Sequence, residues 1–352
     1  MRPETFVLLF LALLGQAGAK HFQSWYRVYG PVFDNILHSD CQDKYEAYMT
    51  QEPEADCREC LAERTIACIL DETPGDFKAN MAAASVLLGL LPSILSLAGS
   101  KAIETGLLAQ RRPFLSFLTS LGAPAAWPIH SFDYHSSPAE LFRETPGAVD
   151  LPELTPRWRV VVVITQYLLL IGAFANLLQT TLELSEKTIC TFTSSTEYLP
   201  LVWALTGVPV HFVGSWASYL RTRVTTEERD TIWGHFDEFR LCMYHKPARV
   251  ELMKESYWFI WWAWFLSFGT ILHIIFGTLM FSSILFISSD YALRVAGRYL
   301  ASTIVCRAVL MFELAGMRRV ATMDMKVASG DPGHGQEQQR DLELQPLAFN
   351  GA

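Results

Sequence analysis

The sequence predicts an all-α protein: a polytopic transmembrane helix bundle of about five spans, with a small disulfide-stapled ectodomain and a disordered C-terminal tail. The first reason is the stretch Trp258–Ser289, which runs for 32 residues without Asp, Glu, Lys or Arg. The second is that charged residues make up 18% of the chain, below the roughly 25% of soluble domains. The net charge of −8 argues against nucleic-acid binding, because that function needs a basic surface.

Five segments are candidates to cross a membrane, since a helix needs about 20 apolar residues to span the hydrocarbon core. Their bounds are residues 79–100, 160–182, 198–220, 258–286 and 299–317. The last is the weakest, because it contains Arg307 and Glu313 and an isolated central Arg costs about 2.5–3.5 kcal/mol. Residues 299–317 therefore either span the membrane or lie at its interface.

The fourth span has two possible arrangements. It could turn back near Gly269–Gly277 as a re-entrant segment, or run as one long tilted helix. Half of it is only about 24 Å of helix, short of a full crossing, so we favour the single helix. An aromatic belt at the cytoplasmic face is then formed by Trp258, Trp261, Trp262 and Trp264.

The N-terminus and the basic loops predict the orientation. Residues 1–19 resemble a cleaved signal peptide, with a short apolar run and a small-residue end at Ala17–Ala19; a short anchor is the alternative. Loops 101–159 and 221–257 are rich in Lys and Arg and are therefore cytoplasmic. The sequence thus predicts a multi-pass protein of the plasma membrane with its N-terminus outside and its C-terminus inside, although Arg294 and Arg298 then fall outside.

Residues 20–78 form a small acidic ectodomain with four cysteines within 28 residues: Cys41, Cys57, Cys60 and Cys68. In an oxidising compartment this density predicts two disulfides, with three possible connectivities. A domain this small buries little core and needs such links. A redox pair or a zinc site at Cys57 and Cys60 is the alternative.

Three polar or mixed segments complete the organisation. The run FLSFLTSLGAPAAWPI, residues 114–129, is short for a span and suits an interfacial or re-entrant piece. Thr225 followed by Glu228 matches a capping box and predicts a cytoplasmic helix at 226–243, which docks on the membrane, the bundle or a partner protein. Residues 321–352 predict a disordered cytoplasmic tail.

His211 and His273 fall near the middle of consecutive spans. Ionisable groups inside a bilayer are costly, so each is a candidate functional residue. The pair could bind haem or a metal, or pass protons. The favoured interpretation is structural: two neutral imidazoles that bond to carbonyls, Ser or Thr on adjacent helices.

Arg307 is the costliest of these residues, because no Asp or Glu lies inside the first four spans. The sequence predicts that Gln166 and Asn176 on the second span bond to it. Arg307 then either forms an anion or headgroup site, or lies at the interface. In the second case, replacing it with Leu should mainly raise stability.

Two blocks carry a resemblance. Residues 79–124, which begin ANMAAASVLLGLLPSILSLAGS, and residues 297–319, GRYLASTIVCRAVLMFELAGMRR, resemble blocks of a group of uncharacterised multi-pass membrane proteins of filamentous fungi. The resemblance implies a fungal membrane protein and assigns no activity to any residue.

The favoured function is a non-enzymatic membrane sensor or scaffold without a cofactor, whose environment is the lipid bilayer. Its ectodomain or the helix at 226–243 would meet a protein partner. The first alternative is a channel or transporter that uses Arg307 and spans broken by Pro92 and Pro209. The second is a haem- or metal-binding membrane oxidoreductase that uses His211 and His273. No sequence motif indicates a catalytic residue or a metal site.

Overall fold

A computed structural model describes residues 22–50, 58–127, 154–191, 198–225, 238–245, 248–253 and 256–324. The helices in chain order are α1 (Gly30–Ser39), α2 (Gln42–Thr50), α3 (Arg58–Glu72), α4 (Gly75–Ala98), α5 (Ala102–Ala109), α6 (Pro113–Gly122), α7 (Pro156–Lys187), α8 (Leu199–Arg221), α9 (Tyr257–Ser282) and α10 (Ser289–Val320). The strands are β1 (Ile189–Cys190), β2 (Thr222–Thr225), β3 (Ala248–Leu252), β4 (Ile284–Leu285) and β5 (Ala321–Asp324). The predicted signal peptide lies outside the described residues.

Five of these helices, α4, α7, α8, α9 and α10, are long and apolar enough to cross a membrane. Their outward faces are apolar as well, with side chains such as Leu168, Phe212 and Phe268 more than half exposed. Such faces are stable in lipid and not in water. The chain is therefore an integral membrane protein with a five-helix bundle, as the composition predicts.

The fourth and fifth spans, for which the sequence left two arrangements open, are continuous helices. The fourth runs unbroken from Tyr257 to Ser282, so the turn near Gly269–Gly277 does not occur. The fifth begins ten residues before its predicted start, at Ser289. The extra turns contain Arg294 and Arg298, which the sequence placed in a loop. The whole of residues 299–317 thus belongs to one long apolar helix.

Helices α1 to α3 form a small subdomain at one end of the bundle, which we call the subdomain end. A disulfide joins Cys41 to Cys68, and Cys60 is disulfide-bonded as well, while Cys57 lies outside the described residues. Aromatic side chains fill the subdomain, and two of them, Trp25 and Phe33, pack on Phe286. The predicted disulfide-stapled domain is confirmed, and its core is shared with the bundle.

The connections at the subdomain end pair with each other. β1, between α7 and α8, pairs antiparallel with β4, between α9 and α10. Cys190 on β1 is a buried free thiol, and burial raises its pKa to about 12. This thiol therefore stays protonated and unreactive at neutral pH.

The opposite end, which we call the far end, corrects two predictions. Residues 321–324 form strand β5, parallel to β3, so the tail does not begin as disordered chain; residues beyond 324 lie outside the described ranges. The helix predicted at 226–243 is not present in its described part. Strand β2 ends just before it, at Thr225, and its last residues enter a short 3₁₀ turn, Cys242–Tyr244; residues 226–237 are not described.

The 3₁₀ turn has a physical cause. Leu241, Cys242 and Met243 are buried against the bundle, and the Cys242 amide donates to the Glu313 carboxylate at 3.0 Å. An α-helix would use this amide internally. The tertiary bond therefore replaces the helical one at the end of the predicted segment.

The largest correction concerns residues 101–159, predicted as a cytoplasmic loop. Helices α5 and α6 form a hairpin inside the bundle, and most of residues 102–126 are buried. Helix α5 packs along α8, and α6 packs on α7 and α10. The polar backbone of such a segment is stable in a membrane only where protein surrounds it. The short apolar run is therefore re-entrant, one of its two predicted forms.

Glycines allow the hairpin to approach α8 closely. A Cβ atom on Gly207 would collide with the Pro124 carbonyl, and one on Gly214 would collide with Ala102. Gly106 on α5 faces Ser218 in the same way. These contacts fix the direction of the hairpin. Helix α5 runs along α8 toward the far end, and α6 runs back toward the middle of the bundle, where it ends at Gly122.

Replacing Gly207 or Gly214 with Ala should therefore destabilise the bundle by about 1–3 kcal/mol, the usual cost of overpacking. The matched controls are Gly172→Ala and Gly269→Ala, because no atom lies within 4 Å of a Cβ there. Alanine stabilises an open helical position by about 1 kcal/mol relative to glycine. Thermal unfolding in one detergent measures all four variants, and equal losses at all four would contradict the close approach.

Candidate functional site in the bundle interior

An ion pair joins the hairpin to α10 in the middle of the bundle. The Arg307 guanidinium contacts the Glu104 carboxylate through both terminal nitrogens. Glu104 is 3% exposed, and its carboxylate also accepts a bond from the Lys101 amide at 3.1 Å. Along α10, Arg307 lies about 14 Å from Arg298 and about 9 Å from Glu313, at 1.5 Å per residue. Arg307 therefore lies in the middle third of α10, the level of the bundle that we call mid-depth.

Glu104 is the functional candidate that sequence reasoning missed. It lies in the segment predicted as a loop, so Arg307 was expected to lack an acidic partner. One signal was present: Glu104 is a lone acid in the apolar run AIETGLLA. A carboxyl group in such a run is costly unless it is paired, and Arg307 has the same requirement.

Gln166 does not bind Arg307 as predicted; it belongs to a second network near the far end. There Arg112 and Glu313 form a salt bridge of 2.8 Å with fully buried side chains. Gln166 bonds to both partners, at 2.8 Å to Arg112 and 2.5 Å to Glu313. Burial and the neighbouring Glu313 carboxylate raise the pKa of the Cys242 thiol.

Asn176 does not bind Arg307 either; it belongs to a third network near the subdomain end. Its side-chain oxygen accepts from Arg298 at 2.8 Å, and Arg298 also lies 3.5 Å from the Glu183 carboxylate. Arg294 forms an exposed pair with Asp290. Acidic neighbours thus compensate the charges of Arg294 and Arg298, the two arginines that fall on the side predicted to carry few Lys and Arg.

His273 is bonded through both ring nitrogens. Its Nε2 lies 2.9 Å from the Pro124 carbonyl oxygen, and its Nδ1 lies 3.2 Å from the Thr206 hydroxyl. The ring stacks on Trp203, with centroids 5.1 Å apart and planes 6° apart. This agrees with the structural interpretation of the sequence, in which the imidazole bonds to a carbonyl and a threonine.

His211 occupies a similar place one helix away. Its Nδ1 lies 3.3 Å from the Thr105 hydroxyl, and the Ala123 carbonyl approaches the ring. No atom of the described residues completes a hydrogen bond to its Nε2. The two histidines therefore face consecutive carbonyls, Ala123 and Pro124, of the chain that follows α6.

The arrangement can hold protons and charges at mid-depth. Both imidazoles can bind a proton, and the Glu104–Arg307 pair supplies one negative and one positive charge. Within the described ranges no group of three or more His, Cys, Asp or Glu side chains is close enough to hold a metal ion. Metal coordination by His273 would first require one of its two bonds to break.

Comparison with known proteins adds no relative. No family model matches the chain, and no curated protein and no solved structure matches it.

The ion pair changes the expected effect of Arg307→Leu. The variant leaves the Glu104 carboxylate buried and unpaired, so it should lose about 3–5 kcal/mol of stability rather than gain any. The double variant Glu104→Leu/Arg307→Leu should regain most of the loss, because neither charge remains.

Unfolding in detergent measures the single and double variants together. Arg294→Gln is the control, because the exposed pair with Asp290 contributes about 1 kcal/mol or less. If Arg307→Leu were as stable as the wild type, the ion pair would not hold the hairpin in place.

Proposed function

We propose that the protein is a non-enzymatic channel or transporter that moves a small ion or polar solute across its membrane. The observation that carries this proposal is the α5–α6 hairpin, whose inner ends lie inside the bundle beside the Glu104–Arg307 pair. Re-entrant backbone at membrane depth is typical of selectivity filters and of the broken helices of transporters. The first alternative of the sequence thus becomes the favoured function.

The location of the helix break supports this proposal. Pro92 and Pro209, the predicted breakers, lie inside the continuous helices α4 and α8. The chain breaks at Gly99–Lys101 instead, between α4 and α5. Backbone groups freed by a break are unsatisfied unless side chains or a solute bind them. One of them, the Lys101 amide, is bound by the Glu104 carboxylate.

The charges of this pair support it as well, with the Glu104 side chain 3% exposed and the Arg307 side chain 27% exposed. A charged residue in the bilayer interior is a functional candidate by default, because lipid gives no compensation for it. A purely structural protein could replace the Glu104–Arg307 pair with apolar residues at little cost. Retaining both charges at mid-depth is reasonable where a charge or dipole must cross.

A sensor or scaffold is the second candidate, favoured by the subdomain. Its Trp25 and Phe33 pack on Phe286, in the connection between α9 and α10. Phe286 has a positive φ of 66°, which is costly for a bulky residue. A ligand of the subdomain could therefore act on two helices through this residue.

Flux in liposomes tests the favoured function. Purified protein in sealed vesicles should raise the passage of K⁺, Na⁺, H⁺ or a small anion above that of empty vesicles. The double variant Glu104→Leu/Arg307→Leu should remain folded and lose at least about 90% of this flux, because the charges at mid-depth are gone. Arg294→Gln should keep it.

Two results would oppose the transport function. One is wild-type protein that is folded in the vesicles and passes none of these ions. The other is a double variant with unchanged flux, since the buried charges would then have no part in passage.

We also propose that the protein lies in the plasma membrane, with the subdomain outside the cell and β5 in the cytoplasm. The supporting observation is the excess of Lys and Arg in the connections at the far end, such as Arg221 and Arg223 after α8. Disulfides in the subdomain fit an oxidising compartment.

Single glycosylation sites test this orientation, because the chain has no natural Asn-x-Ser/Thr site. Phe192→Asn creates Asn-Thr-Ser two residues after the end of β1, and Val327→Asn creates Asn-Ala-Ser after β5. Expression in a glycosylating cell should modify the first variant and leave the second unmodified. Modification of the second alone would reverse the orientation.

A further inference from the structure

Two helices end beside the histidine pair. α4 ends at Ala98 and α6 at Gly122, and their ends meet, because a Cβ atom on Gly99 would lie 2.5 Å from the Ala125 carbonyl oxygen. The C-terminal end of a helix carries a partial negative charge. Two such ends inside the bundle favour a positive charge close to them, where Pro124 contacts His273.

The contacts of His273 suit both of its protonation states. In the neutral ring, Nε2 carries the proton and donates to Pro124, and Nδ1 accepts from the Thr206 hydroxyl. The hydroxyl has a second acceptor, the Trp203 carbonyl oxygen, at 2.8 Å. When Nδ1 gains a proton, Thr206 can turn its hydrogen to Trp203 and accept from the ring.

We propose that His273 is a proton-binding site in the bundle interior, switched by rotation of the Thr206 hydroxyl. No heavy atom has to move between the two states, and every polar hydrogen has an acceptor in both. The flat contact with the Trp203 ring further stabilises a cation. This inference rests on the proposed transport function in one respect: it names the proton as the coupling ion.

The charges around His273 are few. The elements packed against α9 at this level are α8, α4 and the chain that follows α6. Of these, α8 contributes His211, whereas residues 79–98 of α4 and residues 123–127 contain no ionisable side chain. The acid on the hairpin, Glu104, is already paired with Arg307. Burial disfavours the protonated, charged form of His273, whereas the negative ends of the two helices favour it. Because these two effects oppose each other, the site can both bind and release its proton.

His211 is the matched comparison. The Thr105 hydroxyl contacts the His211 ring in the same way as the Thr206 hydroxyl contacts the His273 ring. Its second acceptor is the Ala102 carbonyl oxygen, at 2.9 Å, which corresponds to the Trp203 carbonyl oxygen beside Thr206. The difference lies at Nε2, which has no hydrogen-bond partner among the described residues. The Ala123 carbonyl approaches this ring without completing a hydrogen bond, so a protonated His211 is less well satisfied than a protonated His273, and repulsion between like charges keeps the pair to one proton.

Nitrogen NMR of ¹⁵N-histidine-labelled protein in lipid tests this site. The chain has nine histidines, and the spectra of His273→Gln and His211→Gln assign the two signals by difference. As the pH falls from about 8 to about 4, a range that brackets the titration of histidine, His273 should change from the Nε2–H tautomer to the doubly protonated ring. His211 should stay neutral while it does so.

Thr206→Val provides the sharper test, with Thr105→Val as its control. Removing the Thr206 hydroxyl deprives the charged ring of an acceptor, so the His273 midpoint should fall by about one pH unit. Thr105→Val should leave that midpoint unchanged. The proposal would be overturned if the His273 ring never gained a second proton, or if its titration midpoint were the same in Thr206→Val as in the wild type.

The outcome is independent of flux. If the ring titrates as described and vesicles pass no ion, the proton site stands and the transport function fails. If vesicles pass ions and His273 does not titrate, transport stands without this site. If both hold, His273→Gln should remove the part of the flux that a pH gradient drives.

Discussion

Every charge in the bundle interior needs a partner, because lipid provides none, and this requirement organises the fold. Helix α10 carries Arg298, Arg307 and Glu313 at three depths, and each meets a different neighbour. The partner at mid-depth is Glu104, which comes from neither a span nor a loop. The hairpin that carries Glu104 must therefore lie inside the bundle, and the glycines of α8 provide the space for it.

Much of the fold could be predicted from the sequence, because length and composition alone decide whether a helix is stable in lipid. The run Trp258–Ser289 required a crossing helix, and the cysteines at 41 and 68 indicated a disulfide. Extending the fifth span back to Ser289 was not predictable in this way. Arg294 and Arg298 suggested a loop, and Asp290, Asn176 and Glu183, which make them compatible with a helix, are partners that the sequence does not link to them.

The candidate site was predictable only in part. His211 and His273 stand out because ionisable residues are rare in apolar runs, and their threonine and carbonyl partners are of the predicted kind. Glu104 was missed because its partner is 203 positions away, and pairings over such distances leave no local pattern. For the same reason Gln166 and Asn176 were assigned to the wrong arginine. A polar side chain on an apolar helix indicates that a hydrogen-bond partner exists, but the sequence does not show which residue it is.

The two small sheets have a mechanical consequence. At the far end β2 continues α8, β5 continues α10, and β3 shortly precedes α9, so one three-stranded sheet couples three crossing helices. At the other end β1 and β4 tie α7 to the α9–α10 connection. Rigid-body tilting of any one of these rods would shear a sheet. Any movement in the membrane core therefore has to take place between rods whose ends are fixed, at interior contacts such as the Glu104–Arg307 pair.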